Sequence, residues 1–416
     1  MSKLHLLAGV RTPFLKAGGS AARFSADDLG VMAALELLAR TGIDAGEIDE
    51  VIAGCVGQPT RAQNVARVIA LRAGVPHHVP AVTVHRNCAS GFEAVTTAAE
   101  RMAVGRGSLF LIVGTESMSS YPIRYGGAMG AHLARMAKAR SVLGRVKALA
   151  GIRWRDVKPR VTLLEGLRDP TVKLNMGQTA ELLAGDWGIE REEQDLFALE
   201  SHRRAEASRD ALAEEIFPLF SKSKAMRLDD GVREGQTLEA LARLRTVFQR
   251  GGSVTVGNAC QVTDGAVALL VGDPARFKGE PLCRVADYAY AGCDPKRMGL
   301  GPAYAIPKVL GKRKLESIPA VEINEAFAVQ VLACLRALES RHFAHEQLGR
   351  ETIVGRIDPE RLNVHGGAIA LGHPVGATGA RLLLSLALQM RRNGHETGLA
   401  SLCVGGGQGG AVLLVS

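Results

Sequence analysis

Paired cysteines are missing from this sequence, and aromatic residues are scarce. The seven cysteines, at positions 55, 88, 260, 283, 293, 334 and 403, include no C-x-x-C pair. This spacing argues against a zinc site or a disulfide framework, and it favours a reducing, cytoplasmic location. Aromatic residues make up only 4% of the chain and form no patches with basic residues. We therefore expect no nucleic-acid surface and no metal.

Long apolar runs that would mark a membrane segment are also missing. The opening MSKLHLLAGVRTPF has too short an apolar stretch to be a secretory signal, so we expect none. The last 19 residues, GLASLCVGGGQGGAVLLVS, carry no charge, but their six glycines argue against a spanning helix. The pattern instead predicts two buried strands joined by a glycine turn.

What the chain has in quantity is apolar and small residues. Its 416 residues are 47% hydrophobic and include 48 glycines, which allows a large core with many tight turns. The formal net charge of +9 suits an anionic partner, such as a phosphorylated metabolite or a membrane surface.

Two stretches of the sequence, 81–117 and 361–407, follow one plan. Each predicts a strand, a glycine-bearing turn, a helix and a buried strand. A closing strand follows directly in the second stretch (GGAVLLVS) but much later in the first (DGAVALLVGD). We therefore predict an α/β protein with two similar halves, residues 1–119 with 264–275 and residues 276–416, and an inserted domain at 120–263. A chance likeness between the two stretches is the alternative.

The predicted insertion begins with a basic segment. Between Glu116 and Asp156 there is no acidic residue, while eight lysines and arginines occur. Apolar residues at 129, 133, 136, 143 and 146 fall near one face of a helix, with basic residues roughly opposite. This pattern fits a solvated basic helix packed on the protein. Contact with a membrane surface, a partner subunit or an anionic ligand is the other interpretation.

Four glycine-rich segments concentrate reactive side chains: HRNCASG with Cys88, VEINEAFA with Asn324, NVHGGAIALGHPVGATG with His365 and His373, and SLCVGGGQGG with Cys403. Each follows a predicted buried strand, and ligands of α/β sheets bind at the carboxyl ends of strands. Taken singly, each residue has an ordinary structural explanation. Together they suggest a cysteine nucleophile with a histidine base, and a second cysteine as a candidate acid or base for carbon–carbon chemistry. At a helix start, Cys88 is expected to favour the thiolate.

These four motifs, with RTPF (11–14) and GNACQVTDGA (257–266), resemble the thiolase family in order and over nearly the whole chain. The resemblance implies the thiolase fold, in which two βαβαβαββ halves form five αβαβα layers with an inserted loop domain. It also implies an acyltransferase with coenzyme A as co-substrate and no permanently bound cofactor.

The resemblance assigns roles to five residues. Cys88 would be the nucleophile that carries the acyl group, and His373 would activate it and help bind a thioester oxygen. Cys403 would protonate the departing acetyl-CoA enolate. Asn324 would hold a water in the first oxyanion hole, and the backbone N–H groups of Cys88 and Gly405 would form the second.

Other positions are assigned to coenzyme A or left open. The resemblance places Arg233 against the adenine, and Ala259 and Cys260 along the pantetheine channel, although serine is usual at position 260. His365 stands where asparagine is common, and its role is open. We expect His85 to be structural.

Within the family, the insertion and the segment RIDPERLNVHGGAIALGHP resemble the long-chain branch, the β-subunit of the fatty-acid oxidation complex. Ile123 after Pro122 fits that branch, whereas NEAF stands where the branch usually has HEAF. The resemblance implies a 3-ketoacyl-CoA thiolase of β-oxidation and a homodimer or homotetramer. A hydratase/dehydrogenase α-subunit and membrane contact through the basic insertion are further expected partners. The alternatives are a biosynthetic acetoacetyl-CoA thiolase, a decarboxylating condensing enzyme, which leaves Cys403 unexplained, and a non-catalytic lipid-binding protein.

Overall fold

A computed structural model describes residues 3–221 and 224–416 of the chain. The chain divides into a larger unit, which ends at Ser120 and resumes at Asp169, and a smaller unit, Tyr121–Arg168. The strands are β1 (His5–Arg11), β2 (Leu15–Lys16), β3 (Glu50–Gly54), β4 (Ala81–Val84), β5 (Leu109–Ser117), β6 (Ile123–Arg124), β7 (Arg160–Val161), β8 (Leu219–Ser221), β9 (Lys224–Met226), β10 (Thr263–Gly272), β11 (Cys283–Gly292), β12 (Ala320–Ile323), β13 (Thr397–Val404) and β14 (Gln408–Val415). The helices are α1 (Ala26–Thr41), α2 (Val65–Arg72), α3 (Ser90–Ala103), α4 (Gly127–Lys138), α5 (Val142–Leu149), α6 (Trp154–Val157), α7 (Thr162–Gly166), α8 (Met176–Trp187), α9 (Arg191–Ala207), α10 (Arg209–Glu215), α11 (Leu238–Ala242), α12 (Gly301–Leu310), α13 (Ala328–Glu339), α14 (Arg341–Leu348), α15 (Ala368–Leu371) and α16 (Val375–Asn393).

The main sheet of the larger unit repeats one pairing pattern twice. Its strand order is β12-β13-β14-β11-β1-β10-β5-β3-β4, with β2 beside β10. In the first half β3 runs parallel to β4 and β5, and β10 runs antiparallel to β5 and β1. In the second half β12 runs parallel to β13, and β14 runs antiparallel to β13 and β11. The predicted duplication is confirmed, including the late return of β10 beside β5.

Helices cover both faces of each half of the sheet. α3 and α16 pack against each other, and α16 contacts both β5 of the first half and β13 of the second. These two helices therefore form a middle layer, while α1 and α2 cover the outer face of the first half and α12 that of the second. β5 and β10 are buried along their whole length because helices cover both faces of the sheet. Such strands are rich in apolar residues.

One predicted strand is reduced to a single bridge. Within residues 361–364 only Leu362 pairs, with Val321 of β12. Asn363 adopts a left-handed φ of 48°, and its side chain accepts from Ile323 N and donates to Ile323 O, both at 2.9 Å. This turn ends the extended path, so the strand prediction was wrong beyond Leu362. Leu362 nevertheless holds the position beside β12 that β4 holds beside β3.

The smaller unit contains two basic helices where the sequence predicts one. α4 ends at Lys138, and the side chain of Ser141 caps α5 by accepting from Gly144 N at 3.1 Å. The short strands β6 and β7 pair with each other. Apolar side chains are widely exposed in this unit, among them Val142 at 78% and Trp154 at 81%.

The uncharged carboxyl-terminal stretch forms β13 and β14, joined by the glycine turn at residues 405–407, as predicted. Within the described ranges, no helix combines the length and the apolar character needed to cross a membrane.

Candidate active site

Cys88 lies in the turn between β4 and α3, partly buried at the amino-terminal end of α3. Ser90 holds this turn, since its Oγ accepts from Arg86 N at 3.0 Å and donates to Asn87 O at 2.7 Å. The backbone N–H groups of Gly405 and of Cys88 itself lie near the thiol sulfur, and their effect is to lower the pKa of the thiol. Burial outweighs them and raises the pKa of Cys88 to about 11. Contrary to the expectation from the helix start, the resting residue is therefore a thiol.

His373 stands between α15 and α16 and is buried. Its Nδ1 lies 2.7 Å from Thr378 Oγ1, and that hydroxyl donates to Pro374 O at 3.1 Å. Nδ1 therefore carries the hydrogen, and Nε2 keeps a free lone pair. Burial, with a smaller effect of Arg381, lowers the pKa of His373 to about 4. The imidazole is thus neutral, with one nitrogen able to accept a proton.

Buried polar atoms without partners mark a place built for a ligand. Asn324, directly after β12, is fully buried, and neither its Oδ1 nor its Nδ2 has a hydrogen-bond partner among the described residues. The same holds for Nε2 of His373. Unpaired buried amide and imidazole groups are costly in a folded protein. A water or a substrate oxygen at these atoms would satisfy them.

Cys403 is the penultimate residue of β13 and is buried. Burial, reinforced by the nearby thiols of Cys88, Cys334, Cys260 and Cys293, raises the pKa of Cys403 well above its usual value. A thiol that holds its proton at neutral pH is suited to the role of an acid.

The reactive segments are tied together by hydrogen bonds. The bonds are Asn324 N to Ser401 O at 2.9 Å, Cys260 N to Ala326 O at 3.0 Å, His373 N to Gln261 O at 3.1 Å and Asn87 Nδ2 to Gly405 O at 2.7 Å. The helices that follow Cys88 and His373 also cross at two glycines. A Cβ on Gly379 of α16 would lie 2.5 Å from Phe92 N of α3. The fold therefore brings all four motifs to one place.

The residues assigned to coenzyme A are spread from the site to the surface. Cys260 is partly buried, and burial, with a smaller effect of Cys88, raises the pKa of its thiol to about 12. Ala259 is buried and pairs with Phe327. Arg233 is exposed, and its backbone N–H donates to Nδ1 of the buried His202 at 3.3 Å. Cys260 thus stands closest to the chemistry, and Arg233 at the periphery.

Two histidines from the reactive motifs lie outside this group. His365 is half-buried, and its Nε2 lies 3.3 Å from Nη1 of Arg392. His85 is exposed, and its Nδ1 accepts from Asn87 N at 3.4 Å. The sequence analysis missed two residues that fix the geometry of the site: Asn87, which bonds to Gly405, and Thr378, which bonds to His373. The signal available was their closeness in sequence, one residue before Cys88 and five after His373.

Comparisons with known proteins identify the family of the chain. Residues 5–274 match the family model "Thiolase, N-terminal domain" and residues 279–416 match "Thiolase, C-terminal domain". A 3-ketoacyl-CoA thiolase of Pectobacterium carotovorum is 37% identical over 423 aligned residues, which cover 99% of this chain and 96% of the relative.

Solved structures of two enzymes superpose on the chain. Human mitochondrial 3-ketoacyl-CoA thiolase in complex with CoA is 36% identical with a TM-score of 0.85, over 99% of this chain and 98% of the other. The acetyl-CoA acetyltransferase of Bacillus anthracis is also 36% identical with a TM-score of 0.85, over 100% of this chain and 99% of the other. With both family domains matched and the motif residues gathered in one site, the chain belongs to the thiolase family, whose members are acyltransferases that use CoA as co-substrate.

Proposed function

We propose that this protein is a 3-ketoacyl-CoA thiolase, which cleaves 3-ketoacyl-CoA with CoA into acetyl-CoA and a shortened acyl-CoA. The observation that carries the proposal is the meeting of two protonated thiols, Cys88 and Cys403, with the neutral imidazole of His373. A hydrolase needs a nucleophile and a base, whereas Claisen cleavage also needs an acid for the carbanion. The relatives named 3-ketoacyl-CoA thiolase support the same activity.

In the first half-reaction Cys88 loses its proton to Nε2 of His373 and its sulfur bonds to C3 of the substrate. The C2–C3 bond then breaks, and its electron pair passes to C2 as the enolate of acetyl-CoA. Cys403 donates its proton to C2. With the pKa of Cys88 near 11 and that of His373 near 4, the proton rests on sulfur until substrate binds. Proton transfer must therefore be coupled to charge stabilisation on the substrate oxygens.

In the second half-reaction a CoA thiol gives its proton to the Cys403 thiolate. The CoA sulfur attacks the acyl carbon, the bond from that carbon to Cys88 breaks, and the Cys88 sulfur regains the proton from His373. Each catalytic group returns to its resting protonation state, and no external acid or reductant is consumed.

Two oxygens develop charge during this sequence, and each needs donors. We assign the C3 oxygen to the backbone N–H groups of Cys88 and Gly405, the second of which lies near enough to the Cys88 sulfur to lower the pKa of its thiol. We assign the thioester oxygen to protonated Nε2 of His373 and to a water held by Asn324. The unpaired buried atoms of His373 and Asn324 support this assignment, and each such donor is typically worth about 3 kcal/mol or more.

The activity is tested with purified protein, CoA and either acetoacetyl-CoA or 3-ketohexadecanoyl-CoA, by following the loss of the keto-thioester. We expect turnover of at least one substrate, abolition by Cys88→Ser, and near-normal turnover by Cys283→Ala, which removes a buried thiol from the core. Folded protein that cleaves neither substrate contradicts the proposal.

The same assay separates the degradative enzyme from a biosynthetic acetoacetyl-CoA thiolase. The NEAF motif and the likeness to an acetyl-CoA acetyltransferase favour this second candidate. We expect kcat/KM to be higher for 3-ketohexadecanoyl-CoA than for acetoacetyl-CoA. The opposite ratio would favour the biosynthetic enzyme.

The proposal extends to the coenzyme A residues. Ala259 and Cys260 would line the pantetheine channel, which the closeness of Cys260 to Cys88 supports. Arg233 would meet the adenine at the surface. We expect Arg233→Ala to raise KM for CoA with little change in kcat, since it contacts CoA far from the reacting atoms.

We further propose a homodimer formed through β4. This strand ends the sheet order, and its residues Ala81–Val84 are all half-buried. An unpaired edge strand is a template for pairing with a second copy. A tetramer would add a second interface. Light scattering of a Val82→Lys variant, which charges the edge, tests the proposal, with a monomer as the expected result.

For the smaller unit we propose contact with an anionic lipid surface. α5 exposes Val142, Leu143 and Val146 on one side, and the segment between Glu116 and Asp156 has eight basic residues and no acidic one. Exposed apolar side chains with basic neighbours are typical of helices that lie in a membrane interface.

Cosedimentation with phosphatidylglycerol-containing and pure phosphatidylcholine vesicles tests the lipid proposal. We expect binding to the anionic vesicles, lost in Val142→Asp/Val146→Asp and kept in Val104→Asp, an exposed valine of the larger unit. Absence of binding to the anionic vesicles contradicts the proposal. A partner protein that copurifies with the wild type but not with Val142→Asp/Val146→Asp also contradicts it, because α5 would then bind protein. The hydratase/dehydrogenase α-subunit, the cytoplasmic location and the limits of the inserted domain at 120 and 263 stay predictions.

A further inference from the structure

The two residues in front of the nucleophile reach across to the carboxyl-terminal glycine turn and to the strand β14 that follows it. Asn87 Nδ2 donates to Gly405 O at 2.7 Å, and Arg86 Nη1 donates to Gln408 Oε1 at 3.1 Å. The two halves of the protein are thereby joined at the point where Cys88 meets the turn that follows Cys403.

Arg86 is itself held in place by three contacts. Its guanidinium lies 4.0 Å from the centre of the Tyr290 ring. Its Nε donates to Glu93 Oε2 of α3 at 2.6 Å, and its backbone N–H donates to Ser90 Oγ. These contacts fix the position of Arg86, and therefore the start of the backbone of Asn87.

Asn87 adopts a strained backbone conformation that is unusual for a residue with a side chain. Its φ is 43°, whereas among the described residues only Lys173 and Asn363 share a positive φ without being glycine. Strain at such a position is retained when the surrounding structure has a use for it. Here the left-handed turn aims the amide of Asn87 at the carbonyl of Gly405.

The glycine turn needs an anchor of this kind. Gly405, Gly406 and Gly407 are consecutive, and the last two have φ of 93° and 84°. Glycine has more backbone freedom than any other residue. Gly407 is fixed because its carbonyl accepts from Cys293 N at 2.8 Å, and Gly405 is fixed by Asn87.

We propose that Asn87 is a positioning residue: by holding the carbonyl of Gly405 it fixes the backbone of that residue, and thereby keeps the Gly405 N–H directed toward the Cys88 sulfur and the oxygen on the reacting carbon. The inference rests on the proposed thiolase function for its kinetic consequence. The effect on the thiol itself does not depend on turnover.

The test uses two variants of the full-length protein. Asn87→Gly keeps the left-handed backbone and removes the amide, and Asn87→Asp keeps the shape but replaces the donor with an anion beside Cys88. Lys173→Gly is the matched control, since it relaxes a positive φ at an exposed position. Thermal unfolding checks that all three fold.

For Asn87→Gly we expect kcat to fall about tenfold or more with KM for CoA changed by less than about threefold, since losing one oxyanion donor outright costs roughly 10²–10³ in kcat. Asn87→Asp should fall further, and Lys173→Gly should stay near wild type. A kcat of wild-type size in Asn87→Gly or Asn87→Asp overturns the inference.

The second measurement is alkylation of Cys88 by iodoacetamide at pH 9, followed on the tryptic peptide of residues 87–101 by mass spectrometry. Movement of the Gly405 N–H away from the sulfur should raise the pKa of the thiol. Alkylation should then slow about threefold or more, since the thiolate is the reactive form. An unchanged or faster rate overturns the inference. If the wild-type protein cleaves no keto-thioester, the proposed function is refuted but the inference about Asn87 is not. The alkylation rate tests that inference without any turnover.

Discussion

A Cβ placed on Gly91 would lie 2.3 Å from the backbone nitrogen of Ala380. Gly91 is in the first turn of α3, directly after the nucleophile turn, and Ala380 is in α16, which follows His373. The approach of these two helices sets how far the sulfur of Cys88 stands from the imidazole.

The first prediction concerns this crossing. Gly91→Ala must push α3 away from α16, and overpacking of a core typically costs about 1–3 kcal/mol. We expect a lower Tm together with a loss of kcat about tenfold or larger, because the nucleophile and the base separate. Both are measured on the same preparation by calorimetry and by the keto-thioester assay.

Gly185→Ala is the control for that prediction. Gly185 is an exposed position inside α8, and nothing lies within 4 Å of an added Cβ. Alanine in a helix interior is favoured over glycine by about 0.5–1 kcal/mol, so this variant should be slightly more stable and fully active. Equal behaviour of the two variants would contradict the role given to Gly91.

The second prediction concerns the pH dependence of Cys88. Burial raises the pKa of its thiol to about 11, so the thiolate fraction in the resting enzyme should increase about tenfold per pH unit up to that value. We expect the rate of inactivation by iodoacetamide to rise without a plateau from pH 7 to pH 10. A plateau below pH 8 would mean that the resting enzyme already holds a thiolate–imidazolium pair.

The third prediction separates the two cysteines. Cys403→Ala should abolish exchange of the C2 hydrogens of acetyl-CoA with deuterated water, because that exchange requires the acid and base at C2. A loss of about 10² or greater is expected. Exchange of labelled CoA with acyl-CoA also passes the CoA proton through Cys403, but it should fall less than the C2 exchange, because a thiol ionises far more readily than a C–H bond.

In Cys88→Ser both exchanges should instead be lost. Cys334→Ala is the matched control, since this buried thiol lies near Cys403 but belongs to the core, and it should leave both exchanges intact. If Cys403→Ala retained C2 exchange, another group would have to be the acid.

The sequence predicted the larger features of this fold because they rest on local patterns. The buried strands β5, β10, β13 and β14 consist mostly of apolar and small residues, and the duplication appears in their order. The reactive residues Cys88, His373 and Cys403 were found because each stands in a glycine-rich turn after such a strand. Four family motifs then added the roles that the local patterns left open.

Most of what the sequence did not predict depends on contacts between distant segments, and one missed feature is local. The pKa of Cys88 follows from burial that only the packed halves create, and the local signal of a helix start suggested the opposite direction. The hydrogen bond between Asn87 and Gly405 joins residues 318 positions apart. The break between α4 and α5 is the local feature. It was missed because the apolar residues keep a helical spacing on both sides of it, and this spacing hides the new helix start that Ser141 caps.

The last prediction concerns acid stability. His202 in α9 is buried, and burial, with smaller effects of Arg233 and Lys16, lowers the pKa of its imidazole to about 4 from a usual value of 6.5. Below pH 6.5 the unfolded chain binds this proton and the folded protein does not, so stability is lost as the pH falls from 6.5 toward 4. At about 1.4 kcal/mol per pKa unit, His202 should destabilise the folded protein by about 2 kcal/mol between pH 7 and pH 5.

His202→Asn should remove that part of the pH dependence while keeping an acceptor for Arg233 N, and the exposed His78→Asn should leave it unchanged. Urea unfolding of the three proteins at both pH values and at one protein concentration measures the difference. Identical losses in wild type and His202→Asn would show that His202 is already protonated in the folded protein or has little influence on its stability.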